Sequence, residues 1–101
     1  MLFILEGQDP VHVEDSYTWS KWMETHDCKL DYTQLNDTEQ VITYFLGIDD
    51  HDEKGNVSYF ETKVIGGLFD GWSFRYGNYG TALSGHLKVV KDVHCLHIDA
   101  A

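Results

Sequence analysis

The most regular hydrophobic pattern in the chain lies in its last quarter. There, apolar side chains and one histidine recur three and four residues apart, at Tyr79, Ala82, Leu83, His86, Leu87, Val90 and Val93. This spacing predicts an amphipathic α-helix with Asn78 as its N-cap. Gly80 and Gly85 each cost a helix up to about 1 kcal/mol relative to alanine, so we expect close packing against a sheet at both positions. Residues 94–101 alternate in polarity and predict a short edge strand or a loose tail.

A shorter helical stripe is predicted between residues 15 and 26. Asp15 or Ser16 supplies an N-cap oxygen, and the apolar face carries Trp19, Trp22, Met23 and His26 at i, i+3, i+4 and i+7. Two tryptophans on one face belong either to the core or to a binding surface. Their helical spacing favours the core.

The remaining segments have the patterns of β-strands. Strands are predicted at residues 2–6, 11–13, 29–35, 40–48, 57–65 and 72–76. Residues 40–48 are apolar on both faces, which is typical of a central strand covered on both sides. Residues 49–56 are predicted to form an acidic loop. The elements sum to a single α+β domain over residues 1–101, an antiparallel β-meander of three to five strands with two amphipathic helices packed on one face.

Charge is unevenly distributed along the chain. The net charge is −10, and residues 1–56 carry thirteen acidic and three basic side chains, whereas residues 57–101 carry four of each. An acidic half repels nucleic acid and anionic membranes and is attracted to basic surfaces. The composition therefore predicts no direct nucleic-acid or membrane partner. It either maintains solubility or favours a protein partner with a basic surface.

The sequence also bears on compartment. No apolar run approaches the roughly 18 residues that a membrane helix needs, and the opening MLFILEG lacks the basic flank and length of a signal peptide. Cys28 and Cys95 stand far apart and outside any metal-binding spacing, so we expect reduced thiols. These features predict a cytoplasmic protein.

Two arrangements resemble metal sites. Counted from Asp50, acidic residues fall at positions 1, 3 and 12 (Asp50, Asp52 and Glu61) and Gly55 at position 6, as in a calcium-binding loop. Lys54, however, replaces an oxygen ligand, so a solvated hairpin loop is favoured. His94 and His97, with His86 or Cys95, are an alternative zinc set without a recognised spacing. We predict no metal site.

Glu61, Arg75 and His86 are the other candidate site residues. Arg75, the only arginine, either pairs with Glu61 across neighbouring strands or binds a carboxylate or phosphate. His86 is either buried and hydrogen-bonded to the sheet or functional near Glu61 and Arg75. Since no nucleophile or oxyanion donors accompany them, we predict no catalytic residue, no cofactor and a protein that is not an enzyme.

Several short stretches carry a family resemblance. They are residues 19–24 (WSKWME), 45–49 (FLGID), 60–67 (FETKVIGG), Arg75-Tyr76 and residues 84–86 (SGH). Together they resemble a family of small uncharacterised proteins encoded by bacteriophages and prophages. The chain departs from that family at Lys63, in its heavier acidic run at 49–53 and at the start of the second helix. The resemblance implies a phage or prophage origin and a bacterial host cytoplasm, and it implies no activity.

Three functional hypotheses follow. The first is a non-enzymatic acidic protein that binds a basic host or phage protein, with inhibition of a host defence or nucleic-acid-handling complex as its role. The second is a homo-oligomeric structural or accessory module that associates through an exposed strand edge. The third is a small-ligand or metal-binding domain. The candidate binding residues are Asp49, Asp50, Asp52, Glu53, Glu61, Arg75 and His86.

Overall fold

Six strands and two helices make up the described part of the chain. The computed structural model describes the backbone of residues 1–100 and the side chains of residues 1–96. The elements are β1 (Leu2–Glu6), β2 (Asp9–Val13), α1 (Ser16–Thr25), β3 (Lys29–Gln34), β4 (Gln40–His51), β5 (Val57–Ile65), β6 (Ser73–Tyr76) and α2 (Tyr79–Ala100). The α+β class and the two helices are confirmed, with one strand more than the three to five predicted.

The strands form one antiparallel sheet around β4. Its main path runs β2-β1-β4-β5-β6, and β3 pairs with the first half of β4. β4 changes partner along its length: Lys29–Gln34 faces its first half, and Leu2 of β1 pairs with Ile48. Between these two halves lies Gly47, whose φ of +76° belongs to the left-handed region that favours glycine. A Cβ there would lie 2.8 Å from the Met23 methyl group, so Gly47 also allows α1 to approach.

Both helices pack on the same face of the sheet, as predicted. Trp22 of α1 contacts Phe45, and Tyr79 of α2 contacts Phe60, each edge to face. Phe45 and Phe60 are register partners and therefore project from the same face. The buried core consists of two clusters, Phe3, Phe45, Phe60 and Ala82, and Val41, Val64, Val89 and Val93.

The other face of the sheet carries no helix in the described part of the chain, which corrects one prediction. Along residues 40–46 of β4, alternate side chains are buried beneath the helices, and those between them are half-buried. The strand is therefore covered fully on one side only. Its open side is shielded by the side chains of neighbouring strands, as described below for Tyr44.

Two element ends differ clearly from the predictions. β4 continues through Asp49, Asp50 and His51, which the sequence pattern assigns to a loop, because Asp50 and His51 pair with Ser58 and Val57 of β5. α2 continues to Ala100 instead of ending in a strand or tail. Gly85 packs closely, with its Cβ position 2.2 Å from the Tyr76 ring, whereas the Gly80 position meets only Asn78 at 3.7 Å.

The predicted apolar residues of α1 face the sheet, but they are less buried than core residues. Asp15 caps it by accepting hydrogen bonds from the backbone N–H groups of Tyr17 and Thr18. Trp19 and Trp22 face the sheet but are only half-buried, and the Trp19 indole N–H donates to the Gly47 carbonyl at 2.9 Å. Neither helix, over the described residues, combines the length and apolar character needed to cross a lipid bilayer.

Candidate functional site

The sheet register brings six carboxylates to one end of the molecule. Val13, Leu2 and Ile48 lie side by side on β2, β1 and β4, and the chain continues past this row in the same direction from β2 and from β4, whereas the antiparallel β1 begins there. We call the group that follows the acidic end, defined as Glu14, Asp15, Asp49, Asp50, Asp52 and Glu53. Since neighbouring strands are about 4.8 Å apart, Glu14 and Asp49 are separated by about 10 Å.

Asp49 is held in its ionised form. One carboxylate oxygen lies 2.7 Å from the Met1 amino group, and the other lies 2.6 Å from Nε2 of His51. Hydrogen bonds from these two groups lower the pKa of Asp49 to about 2. Asp49 therefore carries its negative charge at every physiological pH.

Asp52 organises the β4–β5 turn. Its carboxylate accepts hydrogen bonds from the Lys54 N–H, the Asn56 N–H and the Asn56 side-chain amide, each at 2.9 Å. The Asn56 bonds lower the pKa of Asp52. Glu53, the next residue, is exposed at the tip. The turn therefore displays one carboxylate and uses another to hold its shape.

The calcium-loop spacing is not realised as a set of converging ligands. Asp50 and Glu61 both bind Arg75, and Asp52 faces its own turn. Among the side chains of residues 1–96, no cluster of three or more histidine, cysteine or acidic residues could hold a metal ion. His94 is exposed, and the His97 side chain lies outside the described residues. Cys28 and Cys95 carry free thiols.

A second group of charged residues lies on the open face of the sheet. Tyr44, Glu61 and Arg75 are register partners on β4, β5 and β6. The Tyr44 hydroxyl donates to Glu61, and Arg75 contacts Glu61 through Nε at 3.4 Å and Asp50 at 2.5 Å. Glu61 is only 6% exposed. The predicted cross-strand pair between Glu61 and Arg75 is thus present, with Asp50 as an added partner.

The electrostatics of this group are those of a closed ion-pair network. Burial, the hydrogen bond to Glu61 and its charge raise the pKa of Tyr44 to about 12. The hydrogen bond to Asp50 raises the pKa of Arg75 above its ordinary value. Because two carboxylates of the same chain engage the guanidinium, Arg75 is not a vacant clamp for an anionic ligand.

His86 lies on the opposite face of the sheet from Glu61 and Arg75. It is fully buried between α2, to which it belongs, and the sheet, with Nδ1 2.7 Å from the Thr43 hydroxyl and Nε2 2.8 Å from the Thr33 hydroxyl. Burial lowers the pKa of His86 against a weaker opposing effect of Asp31. The prediction of a buried histidine hydrogen-bonded to the sheet is therefore confirmed, and the alternative prediction of a site that joins His86 to Glu61 and Arg75 is wrong.

One feature of the surface was missed by the sequence analysis. A cleft of about 390 Å³ opens between the β1–β2 hairpin, the end of α1, the start of β3 and the start of α2. Its walls include Trp22, His26 and Tyr79, and the Trp22 and His26 rings stack 4.3 Å apart. Four elements that are distant in sequence form this cleft, so no local sequence pattern predicts it.

The comparisons with known proteins add no relative. No protein-family model, no curated protein and no solved structure matches this chain. The resemblance to phage-encoded proteins accordingly stays a prediction, and functional inference rests on the geometry described above.

Proposed function

We propose that this protein is a non-enzymatic binding protein whose acidic end docks on a basic surface of another protein. The observation that carries the proposal is that the strand register places six acidic residues, from the β2–α1 connection, β4 and the β4–β5 turn, at one end of the sheet. Three cations accompany these six carboxylates, namely Lys54, Arg75, which is bound by Asp50, and the Met1 amino group, which is bound by Asp49. The acidic end therefore keeps a net negative charge.

The geometry supports this function over catalysis. Glu61 and His86, the two titratable residues that could have formed one site with Arg75, lie on opposite faces of the sheet. At the acidic end, by contrast, Asp49 is ionised at all physiological pH values, and Glu14 and Glu53 are exposed. Such a surface accelerates association with a basic partner and makes binding sensitive to salt.

The partner class follows from the same proposal together with the predicted phage origin. A protein with a basic groove, such as a host defence or nucleic-acid-handling complex in the bacterial cytoplasm, presents lysine and arginine side chains spaced to receive phosphates. Carboxylates carried by strands whose backbones are about 10 Å apart at a rigid sheet end would occupy such a groove in place of nucleic acid. Inhibition of the host complex is the expected consequence.

The test is capture of partners from a bacterial lysate, followed by binding measurements with the purified partner. We expect a basic protein to be retained at about 0.05 M salt and lost at about 0.5 M salt. The variant Glu14→Lys/Glu53→Lys, which changes two exposed carboxylates of the acidic end, should weaken the purified complex by about tenfold or more.

The matched control applies the same charge change elsewhere. Glu6→Lys/Asp37→Lys alters two exposed residues at the opposite end of β1 and in the β3–β4 turn, and it should retain most of the affinity. Equal loss in both variants would assign the effect to net charge alone. Binding that is unaffected by salt and by either variant would refute docking through the acidic end.

A further inference from the structure

The free edges of the sheet differ in how they are protected against pairing with another strand. An unpaired strand edge recruits other strands unless proline, lysine, a bulge or an inward charge blocks it. β2 carries Pro10, which has no N–H to donate. β3 carries the exposed Lys29 and a register shift between Lys29 and Asp31. Both of these edges therefore have devices that oppose pairing.

The third edge, β6, carries no proline, lysine or bulge, and only its short length of four residues opposes pairing. Ser73–Tyr76 contains no proline or lysine, and its pairing with β5 is regular over all four residues. Its one charged side chain, Arg75, is engaged by Asp50 and Glu61 on the open face of the sheet. In the described part of the chain, β6 pairs only with β5.

The hydrogen-bond pattern shows which backbone groups this edge presents. The Val64 N–H donates to the Trp72 carbonyl at 2.9 Å. In an antiparallel ladder the bonded pairs alternate, so Phe74 and Tyr76 also direct their backbone groups toward β5. Ser73 and Arg75 consequently direct their N–H and C=O groups away from the sheet, where a further strand would bind.

Exposed apolar side chains flank the same edge. Leu68, Trp72 and Phe74 are 72%, 40% and 43% exposed. The rings of Phe69, Trp72 and Phe74 form a continuous series, with centroids 4.6 Å and 6.4 Å apart. Aromatic side chains beside a free strand gain contact area when a second strand pairs there.

We propose that β6 is a self-association edge, at which a second copy of this chain pairs β6 with β6 in antiparallel fashion. Charge favours a second copy at this place. β2 and β6 are the two ends of the main strand path, and residues 57–101 are electrically neutral, whereas residues 1–56 carry the whole net charge of −10. Although Asp50 of the acidic end binds Arg75 of β6, antiparallel pairing places the acidic end of each copy beside the opposite end of the other copy's sheet. This inference is independent of the proposed docking function.

The primary test is the mass of the full chain in solution. Sedimentation equilibrium should show a rise from 11.6 kDa toward twice that mass between about 10 µM and about 1 mM protein, since a four-residue strand predicts weak, concentration-dependent association. Over the same range the Ser73 and Arg75 amides should become protected from hydrogen exchange, because they would donate to the second copy.

Two variants and a control locate the interface. Ser73→Pro removes an outward N–H without removing a bond to β5, and Phe74→Lys adds a charge beside the edge. Each should weaken self-association by about tenfold or more. Tyr17→Lys makes the same aromatic-to-lysine change at a 69% exposed position on α1 and should leave self-association intact. Circular dichroism and thermal unfolding establish that each variant is folded, and either edge variant suffices for the comparison.

Four outcomes overturn the proposal. A chain that stays monomeric up to about 1 mM has no self-association edge. A dimer that both edge variants leave unchanged pairs elsewhere. A monomer whose β6 amides are protected only by an added extended peptide has a strand-binding edge for a different partner. Loss of self-association in the acidic-end variant Glu14→Lys/Glu53→Lys, with self-association of the edge variants unchanged, would place the interface at the acidic end instead of at β6.

Discussion

His86 connects the helical layer of the protein to the β-sheet. Both ring nitrogens contact hydroxyl groups, those of Thr43 on β4 and Thr33 on β3, and Thr43 continues to Thr62 on β5 at 2.5 Å. A side chain of α2 thus connects through hydroxyls to three neighbouring strands. No side-chain nitrogen or oxygen buried in the described part of the chain lacks a hydrogen-bond partner, so this polar core costs little and fixes the helix position.

The titration of His86 predicts acid sensitivity. Burial lowers its pKa below the ordinary value of 6.5, so the unfolded chain binds this proton more tightly than the native protein does. The stabilisation is therefore complete above about pH 6.5 and is lost as pH falls toward the native pKa. We expect the free energy of unfolding of the wild-type protein to fall by up to about 1.4 kcal/mol per pH unit more than that of His86→Gln in this window.

Urea unfolding at pH 7, 6 and 5 measures this difference. His86→Gln should itself be less stable at pH 7 by roughly 1–3 kcal/mol, because it loses part of the hydrogen bonding. His12→Gln, at an exposed position of β2, should keep the wild-type pH dependence. Parallel loss of stability in the wild-type protein and His86→Gln would show that His86 does not control the acid response.

At the scale of elements, local pattern predicted the strands and helices better than their ends. β5 was bounded correctly at Val57 and Ile65 because its β-branched and aromatic run lies between Asn56 and Gly66. The predicted end of β4 at Ile48 was wrong: the residues that follow are polar, but Asp50 and His51 pair with β5, and Asp49 and Asp50 are bound by Met1 and Arg75. Tertiary pairing overrode the local signal.

The candidate site was predictable only where it depends on adjacent elements. The Glu61–Arg75 pair joins strands that follow one another in sequence, so their turn sets the register. The separation of His86 from that pair depends on which face of the sheet α2 covers, which the helical stripe does not encode. The acidic end depends on pairing between β1 and β4, strands more than forty residues apart, and no local pattern specifies such a contact.

Alanine substitutions at two turn glycines, Gly55 and Gly66, would show how closely each turn packs against its surroundings. Gly55 and Gly66 both have φ of +85°, but a Cβ on Gly55 would meet open space, whereas one on Gly66 would lie 1.9 Å from the Thr38 carbonyl oxygen. Gly55→Ala should therefore cost only the left-handed backbone penalty of about 1–2 kcal/mol. Gly66→Ala should cost about 3 kcal/mol or more, because the β3–β4 turn must also move.

Thermal and urea unfolding of the two alanine variants would measure this pair. Since the backbone penalty is common to both, their difference isolates the contact between the turn after β5 and the turn after β3. Similar destabilisation in Gly55→Ala and Gly66→Ala would show that this contact relaxes at little cost.

At the scale of the whole molecule, charge and strand edges are segregated. The acidic end is built from the β2–α1 connection, β4 and the β4–β5 turn, while the edge without proline, lysine or a bulge lies on β6. Docking on a basic partner and pairing with a second copy would thus use different backbone elements, which the Asp50–Arg75 ion pair connects. A dimer formed through β6 would present two acidic ends, which raises the effective concentration for a partner with two basic sites.

The same segregation predicts how salt acts on the isolated protein. Glu14 and Glu53 are exposed members of the acidic end, so they repel their neighbours and destabilise the native state until salt screens them. Raising NaCl from about 0.01 M to about 0.2 M should increase Tm by several degrees, since about 1 kcal/mol corresponds to about 4–8 °C in a domain of this size. Glu14→Gln/Glu53→Gln should raise Tm at low salt and lose that advantage at high salt.

The control variant Glu24→Gln/Asp92→Asn removes the same charge from residues paired with Lys21 and Lys88 and should give no gain in Tm. Equal gains in both variants would assign the repulsion to net charge. A gain confined to the first would show that the acidic end carries a stability cost in the free protein, as expected for a surface whose charge a basic partner neutralises.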